Sequence, residues 1–349
     1  MMKERGNSGA GLCYCLILGF AGIGLFLLAF QKELWAQSEP APVSGTPRLH
    51  KQRPQLLQDL GAISALRIQQ DILNNSDFVG KQIDFHAFNF GNSRYDDPSS
   101  VSATCQGVTN LSTGYKLSIY VQNSQSVSAA TIRDIQNQFA DKILPTLTNY
   151  FGSPPAGDFT ILIMDIQDHY DPVHNGSTFV SGYFDSENES GGGLNSNYRH
   201  MIYLDSNPGQ PGTETFYGTL AHEFQHFIHF DKDPQEDTWV NEGLSGLARF
   251  LCGYGHPSSH VNAFSDAPGT SLTFWEDSLA NYGAAYLFML YLEEHHGGAA
   301  TIKNIVAHRG RGIAGINGAL QQSGQSVSVN DIFKNWVIAN YLNHPSLLG

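Results

Sequence analysis

Two short segments hold the residues of this chain that could do chemistry together. His222-Glu223-Phe224-Gln225-His226 sets two imidazoles four positions apart. On a helix those positions share a face, so both rings can reach one metal ion. Glu223, about 100° round from His222, is placed to take a proton from water held by such an ion. Sixteen residues after His226, the segment Trp239-Val240-Asn241-Glu242-Gly243 offers the carboxylate of Glu242 as a third ligand. Two histidines, one carboxylate and a fourth position open to water are the ligand set of a hydrolytic zinc site.

The neighbouring sequence supports this set. Phe216, Leu220, Phe224, Phe227 and Ile228 form an apolar stripe of helical period, with His222, Glu223, His226 and His229 on the other side of the wheel. His229, Asp231 and Asp233 are the rival third ligands. His229 lies about 4.5 Å further along the helix than His226 and would have to reach back past it. The two aspartates fall in a charged turn that ends at Pro234. Glu242 enters on a new helix behind Trp239, and Gly246, one turn later, would let that helix approach the first closely. Asn241 either orients its neighbours or caps a loop.

The pair H-E-F-Q-H and W-V-N-E-G-L-S resembles the gluzincin metallopeptidases and is similar to the hyicolysin-like family of secreted bacterial neutral metallopeptidases. The resemblance runs roughly from Ile83 to Asn343 and includes Tyr282-Gly283-Ala284-Ala285-Tyr286-Leu287-Phe288. Asn-Glu-Gly after Trp is also similar to the third-ligand segment of M1-type aminopeptidases, though the spacing here is shorter. The resemblance implies a zincin-like fold and zinc endopeptidase activity on a protein or peptide, with His222, His226 and Glu242 as ligands of one Zn²⁺. Glu223 would act as general base on the activated water and return the proton to the leaving amine. Tyr286 is the candidate oxyanion donor, with Tyr282 one turn earlier as the other choice; both could instead be core aromatics. Two other readings stay open, an aminopeptidase-type gluzincin and a zincin-fold binding protein without catalysis. The intact Glu223 argues against the second.

These residues need a scaffold. Lys116–Val121 alternates as a strand, Phe159–Met164 is a continuously apolar buried strand, and Phe179–Phe184 and His200–Leu204 add two more. Thr131–Tyr150 carries Ile132, Ile135, Phe139, Ile143 and Leu147 at helical spacing. Helices follow over Thr215–Phe230, Trp239–Leu251, Trp275–Glu294, Ala300–His308 and Asn330–Tyr341. A mixed sheet first, helices afterwards and the histidine helix at the junction predict an α+β zincin-like domain over residues 81–349. By fold analogy, His200–Asp205, the last strand before that helix, is the candidate edge for pairing with an extended peptide. Ser190–Asn197 reads as a mobile loop, and no acidic cluster stands ready for a substrate amino group unless Glu187 and Glu189 provide it.

The N-terminus reads as a targeting segment. Lys3 and Arg5 precede Gly11–Phe30, which contains no charged residue, and Leu34-Trp35-Ala36 ends on a small residue. That is a signal peptide over residues 1–36, cleaved after Ala36, with an uncleaved membrane anchor as the alternative. Either way the remainder is exported. Residues 37–80 read as a linker or a pro-segment, with helical periodicity over Leu56–Leu73. A net charge of −13 argues against nucleic acid and anionic membranes as partners. Cys105 and Cys252 remain after the targeting segment and predict one disulfide, or two free thiols. Asp165, Asp168 and Asp171 could hold a structural Ca²⁺ or simply form a solvated loop.

Overall fold

Alternation and continuous apolar runs produce one mixed sheet. The computed structural model describes residues 40–52, 76–91, 99–171, 178–190 and 196–342. The targeting segment, the Leu56–Leu73 periodicity and most of the Ser190–Asn197 loop lie outside these residues. Among the described residues no helix is long and apolar enough to cross a membrane.

Seven strands form the sheet: β1 (Ala41–Ser44), β2 (Gln82–Ala87), β3 (Ser99–Asn110), β4 (Lys116–Gln122), β5 (Phe159–Met164), β6 (Thr178–Phe184) and β7 (His200–Asp205), in the order β1-β6-β7-β5-β4-β3-β2. The centre, β4, β5 and β7, is parallel. Every residue of β5 is buried, which is why Phe-Thr-Ile-Leu-Ile-Met reads as continuously apolar; a strand covered on both faces has no solvent side to leave polar. β6 runs antiparallel to β7, and β1 runs parallel to β6 at the outer edge.

Two sequence expectations change here. His200–Asp205 is an interior strand, hydrogen-bonded on both sides, so it cannot accept a peptide at its edge. Residues 40–52 are not a linker: after β1, Thr46–Gln52 forms the short helix α1, and Leu49 is fully buried.

The longer helices pack on one face of the sheet. α2 (Ala129–Gln138) passes through a π-turn over Phe139–Ile143 into α3 (Leu144–Phe151). The widened turn precedes Pro145, whose nitrogen has no proton to donate. After the short α4 (Glu187–Ser190) come α5 (Glu214–Lys232), α6 (Thr238–Leu251), α7 (Ser258–Asp266), α8 (Leu279–His295), α9 (Gly298–Ala307), α10 (Gly312–Gln322) and α11 (Val329–Leu342). The expected stripe Phe216, Leu220, Phe224, Phe227 and Ile228 is buried against the sheet side of the main core. α8 starts at Leu279 rather than Trp275 because Ser278 and Asn281 close a reciprocal cap. A smaller core on the opposite face holds Phe85, Tyr120, Tyr183 and Tyr203.

That division separates the cysteines. Cys105 belongs to the smaller core and Cys252 to the helical one, so the sheet lies between them; both are buried free thiols. The predicted disulfide is not formed. Burial pushes the Cys105 thiol up to about 11 and the Cys252 thiol up to about 12, which keeps both protonated and unreactive.

Candidate active site

α5 carries the two histidines, and α6 brings Glu242 to them. α5 begins at Thr213, whose hydroxyl accepts the Phe216 N–H. It crosses beneath β6 and β7 and is covered on its other side by α6, so Glu223, Gln225, His226 and His229 are all buried along with its apolar stripe. α6 packs on α8 through Gly243: a Cβ there would stand 2.8 Å from the Ala285 carbonyl oxygen. Gly246, expected to bring α6 close to α5, faces Tyr286 of α8 instead.

Three donor atoms converge. His222 Nε2 and His226 Nε2 stand 3.1 Å apart. His222 Nε2 lies 3.1 Å from Glu242 Oε2, and His226 Nε2 lies 3.1 Å from Glu242 Oε1. Ligands at about 2.0–2.1 Å from a tetrahedral zinc ion are separated by about 3.3 Å. The triangle therefore matches one face of a zinc coordination shell, and the donor set of two imidazoles and a carboxylate suits that ion. Among the described residues, His222, His226 and Glu242 are the group able to hold a metal.

The partners of this triangle fix its orientation. Asn241 Oδ1 stands 3.0 Å from His226 Nδ1 and Ser245 Oγ 3.1 Å from it. A proton on Nδ1 satisfies both and leaves Nε2 as the lone-pair donor. Ser245 also meets Gln225 Oε1, which ties α6 to α5. Charge within the cluster is strongly coupled. Burial opposes charge on His226, yet Glu242 beside it outweighs that and raises the imidazole to about 9. Burial would raise Glu242, but the two histidines hold it down to about 2. The cluster thus sets an ionised carboxylate beside His226, where burial leaves a positive charge favoured by Glu242, and a dication meets that preference.

Glu223 is fully buried beside the triangle. Burial raises its pKa despite the nearby histidines. One carboxylate oxygen, Oε2, accepts the hydroxyl proton of Thr46 at 3.0 Å, while Oε1 has no hydrogen-bond partner. An orphaned buried carboxylate oxygen is costly in an apolar site and is what a proton-transferring group next to a reacting water needs.

His229 is not part of the cluster. It is buried deeper along α5, burial drives its pKa down to about 3, and Gln225 lies against its Nδ1. The two tyrosines separate. Tyr286 turns away from the triangle and its hydroxyl bonds His256 Nδ1 at 2.5 Å. Tyr282 Oη donates to the Ser44 carbonyl at 3.3 Å, and the charges of Glu242 and Glu223 help burial to raise its pKa. Glu189 is held by His200 at 2.6 Å. Asp168 accepts the N–H groups of Tyr170 and Val180, and among the described residues Asp165, Asp168 and Asp171 do not converge as a metal-holding group. Two residues at the site had no distinctive signal in the sequence, Thr46 on Glu223 and His260 of α7, whose Nε2 bonds the Pro42 carbonyl at 2.9 Å.

The chain is 29% identical over 186 residues to the neutral metalloprotease ShpI of Staphylococcus hyicus, a match covering 46% of this chain and 41% of that protein. No family model matches the chain. Solved structures similar to the chain include an M1 zinc metallopeptidase from Deinococcus radiodurans, at 12% identity and a TM-score of 0.35 over 76% of this chain and 56% of that one. Another is native yeast LTA4 hydrolase, at 9% identity and a TM-score of 0.37 over 77% of this chain and 43% of that one.

Proposed function

We propose that this chain is an exported zinc endopeptidase. The observation that carries the reading is the triangle of His222 Nε2, His226 Nε2 and Glu242 with Glu223 beside it. His222, His226 and Glu242 would hold the ion, and Asn241 and Ser245 keep His226 in the tautomer that can do so. Zinc, when bound, supplies a water of lowered pKa and a Lewis acid for the scissile carbonyl. Glu223 accepts the proton of the attacking water on its unpartnered oxygen and hands it to the leaving nitrogen. Its raised pKa suits both halves of that exchange.

Tyr282 takes the role that the sequence reading gave to Tyr286. Its hydroxyl already donates to a peptide carbonyl, that of Ser44, on the side of the site nearer Glu223 and Glu242. A hydroxyl so placed can follow a carbonyl oxygen as charge develops on it. Cleavage within chains is favoured over removal of terminal residues because the two acids considered for gripping an amino group are engaged elsewhere: Glu189 pairs with His200, and Glu187, the first residue of α4, is buried. Export rests on the uncharged run before Ala36.

Glu223→Gln tests the reading. The variant should bind one zinc per chain, as the parent does, and hydrolyse a casein-derived peptide about 10²–10⁴ times more slowly. Parental turnover in that variant would remove Glu223 from the mechanism.

A further inference from the structure

The outer edge of β6 lies beside the metal triangle, and the chain covers it with its own residues. β1 pairs parallel to β6 from Ala41↔Thr178 to Ser44↔Gly182, and the Gly45 N–H continues the ladder to the Gly182 carbonyl at 2.9 Å. Without β1, β6 would offer a row of unpaired backbone groups next to Glu223. An extended peptide binds such an edge by strand addition.

β1 is also held from the helical side by groups that line the site. His260 of α7 bonds the Pro42 carbonyl, and Tyr282 of α8 bonds the Ser44 carbonyl. Lys51 of α1 pairs with Asp277 just ahead of α8 at 2.7 Å. Between these anchors, Thr46 Oγ1 receives the Phe184 N–H at 2.9 Å and donates to Glu223 Oε2 at 3.0 Å. The segment bridges sheet edge and helices, presents backbone carbonyls to two site residues and hydrogen-bonds the proton-transferring carboxylate. Glu223 has no solvent exposure beneath it.

We propose that residues 40–52 are an intramolecular strap that occupies the peptide-binding edge of β6 and covers Glu223, so that peptide reaches the site only once this segment has left. This deepens the peptidase reading and rests on it for the identity of the occupant displaced. β6 is then the strand that binds an extended substrate, and the strap holds its place.

A site for a sequence-specific protease inserted within residues 53–75 of the full chain tests this. The protein folds as one chain, is loaded with zinc, cut and passed over a sizing column. Binding of a fluorescent dipeptide hydroxamate is measured before and after, with mass analysis showing whether residues 40–52 have departed. The strapped chain should bind the probe at least about 100-fold more weakly than the strap-free chain, as expected when about 1% of molecules are open. A synthetic peptide of residues 40–52 should displace the probe from the strap-free form. Leu49→Ala in the uncut chain, which loosens the buried anchor of α1, should raise probe binding. A strap that stays through the column while the probe remains excluded also supports the proposal. Equal binding with and without the strap, no binding to a chain from which residues 40–52 have departed, or failure of the peptide to displace the probe overturns it. Turnover is a separate readout. A strap-free chain that binds the probe and cleaves no peptide would defeat the peptidase reading and leave the strap standing.

Discussion

Asn241 and Glu242 grip one imidazole from its two ends: Asn241 Oδ1 is 3.0 Å from His226 Nδ1, and Glu242 Oε1 is 3.1 Å from His226 Nε2. Adjacent residues on a helix point about 100° apart, so they can embrace a ring from a neighbouring helix only if it projects between them. The fixed approach of α6 to α5 supplies that position, with Ser245 bonding Gln225 one turn further along. Trp239 anchors the start of α6 in the core against Phe288.

Asn241→Leu should therefore weaken zinc binding without touching a ligand. Loss of a partner that orients a liganding histidine typically costs about 10–100-fold in metal affinity. Competition against a chromophoric chelator measures this, and Asn241→Asp, which keeps an acceptor at the same place, should recover most of the loss. Unchanged affinity in Asn241→Leu would mean that Ser245 alone holds the tautomer.

Glu242→Ala should lose stoichiometric zinc on dialysis, whereas His229→Ala should keep it. His229 Nε2 has no partner and the ring sits away from the triangle. The His229 variant should lose stability instead, by about 1–3 kcal/mol, through the space left in a packed interior. Metal content by atomic absorption together with urea midpoints separates the two effects. Zinc kept by the Glu242 variant and lost by the His229 variant would overturn the ligand set.

The tyrosines give a paired test. Tyr282→Phe should lower kcat by about 10²-fold with little change in KM, as for loss of a single donor to a developing oxyanion. Tyr286→Phe should leave kcat within a few-fold of the parent and cost about 0.5–1.5 kcal/mol of stability, since it removes the bond to His256. A reversed pattern would return the role to Tyr286.

The two tyrosines show what the sequence could and could not reveal. Tyr282 and Tyr286 stand four apart on α8, which is buried nearly all round. No polar face tells which side meets the site, so periodicity cannot choose between them. α5 was easier because its apolar stripe, facing the sheet, fixes where the histidines point. β5 was legible as a run of six buried residues, but the place of β7 inside the sheet was not, since strand order follows pairing rather than chain order. β1 left almost no trace: Ala41-Pro42-Val43-Ser44 is short, contains proline and becomes a strand only because β6 offers it an edge. α7 and α10 are short and rich in small and polar residues. α7 reaches α8 through Gly283, where a Cβ would stand 2.1 Å from the His260 carbonyl oxygen. The disulfide expectation failed because pairing depends on which side of the sheet each cysteine occupies, a tertiary fact.

Stability should fall with rising pH in a window set by Glu236. Burial is the largest influence on this carboxyl and raises its pKa; Asp233 and Asp237 add to the rise, the N–H groups of Gly312 and Asp237 oppose it, and the result is about 7. The N–H contacts lie at 2.7 and 2.6 Å on Oε1, while Oε2 has no partner. In the unfolded chain the group titrates near 4.5. Between these values the folded protein holds a proton that the unfolded chain releases, so the contribution is complete below the unfolded value and is lost as pH rises through about 7. The shift corresponds to at most about 3 kcal/mol, and partial solvent contact lowers the expectation to about 1–2 kcal/mol. Glu236→Gln keeps a neutral acceptor and cannot ionise, so relative to the parent it should gain that amount between about pH 5 and pH 8. Urea midpoints of the two zinc-saturated proteins across this range provide the measurement, and taking their difference cancels every other titrating group. Parallel curves would show that Glu236 is ionised in the folded protein throughout, with its charge carried by the two N–H donors.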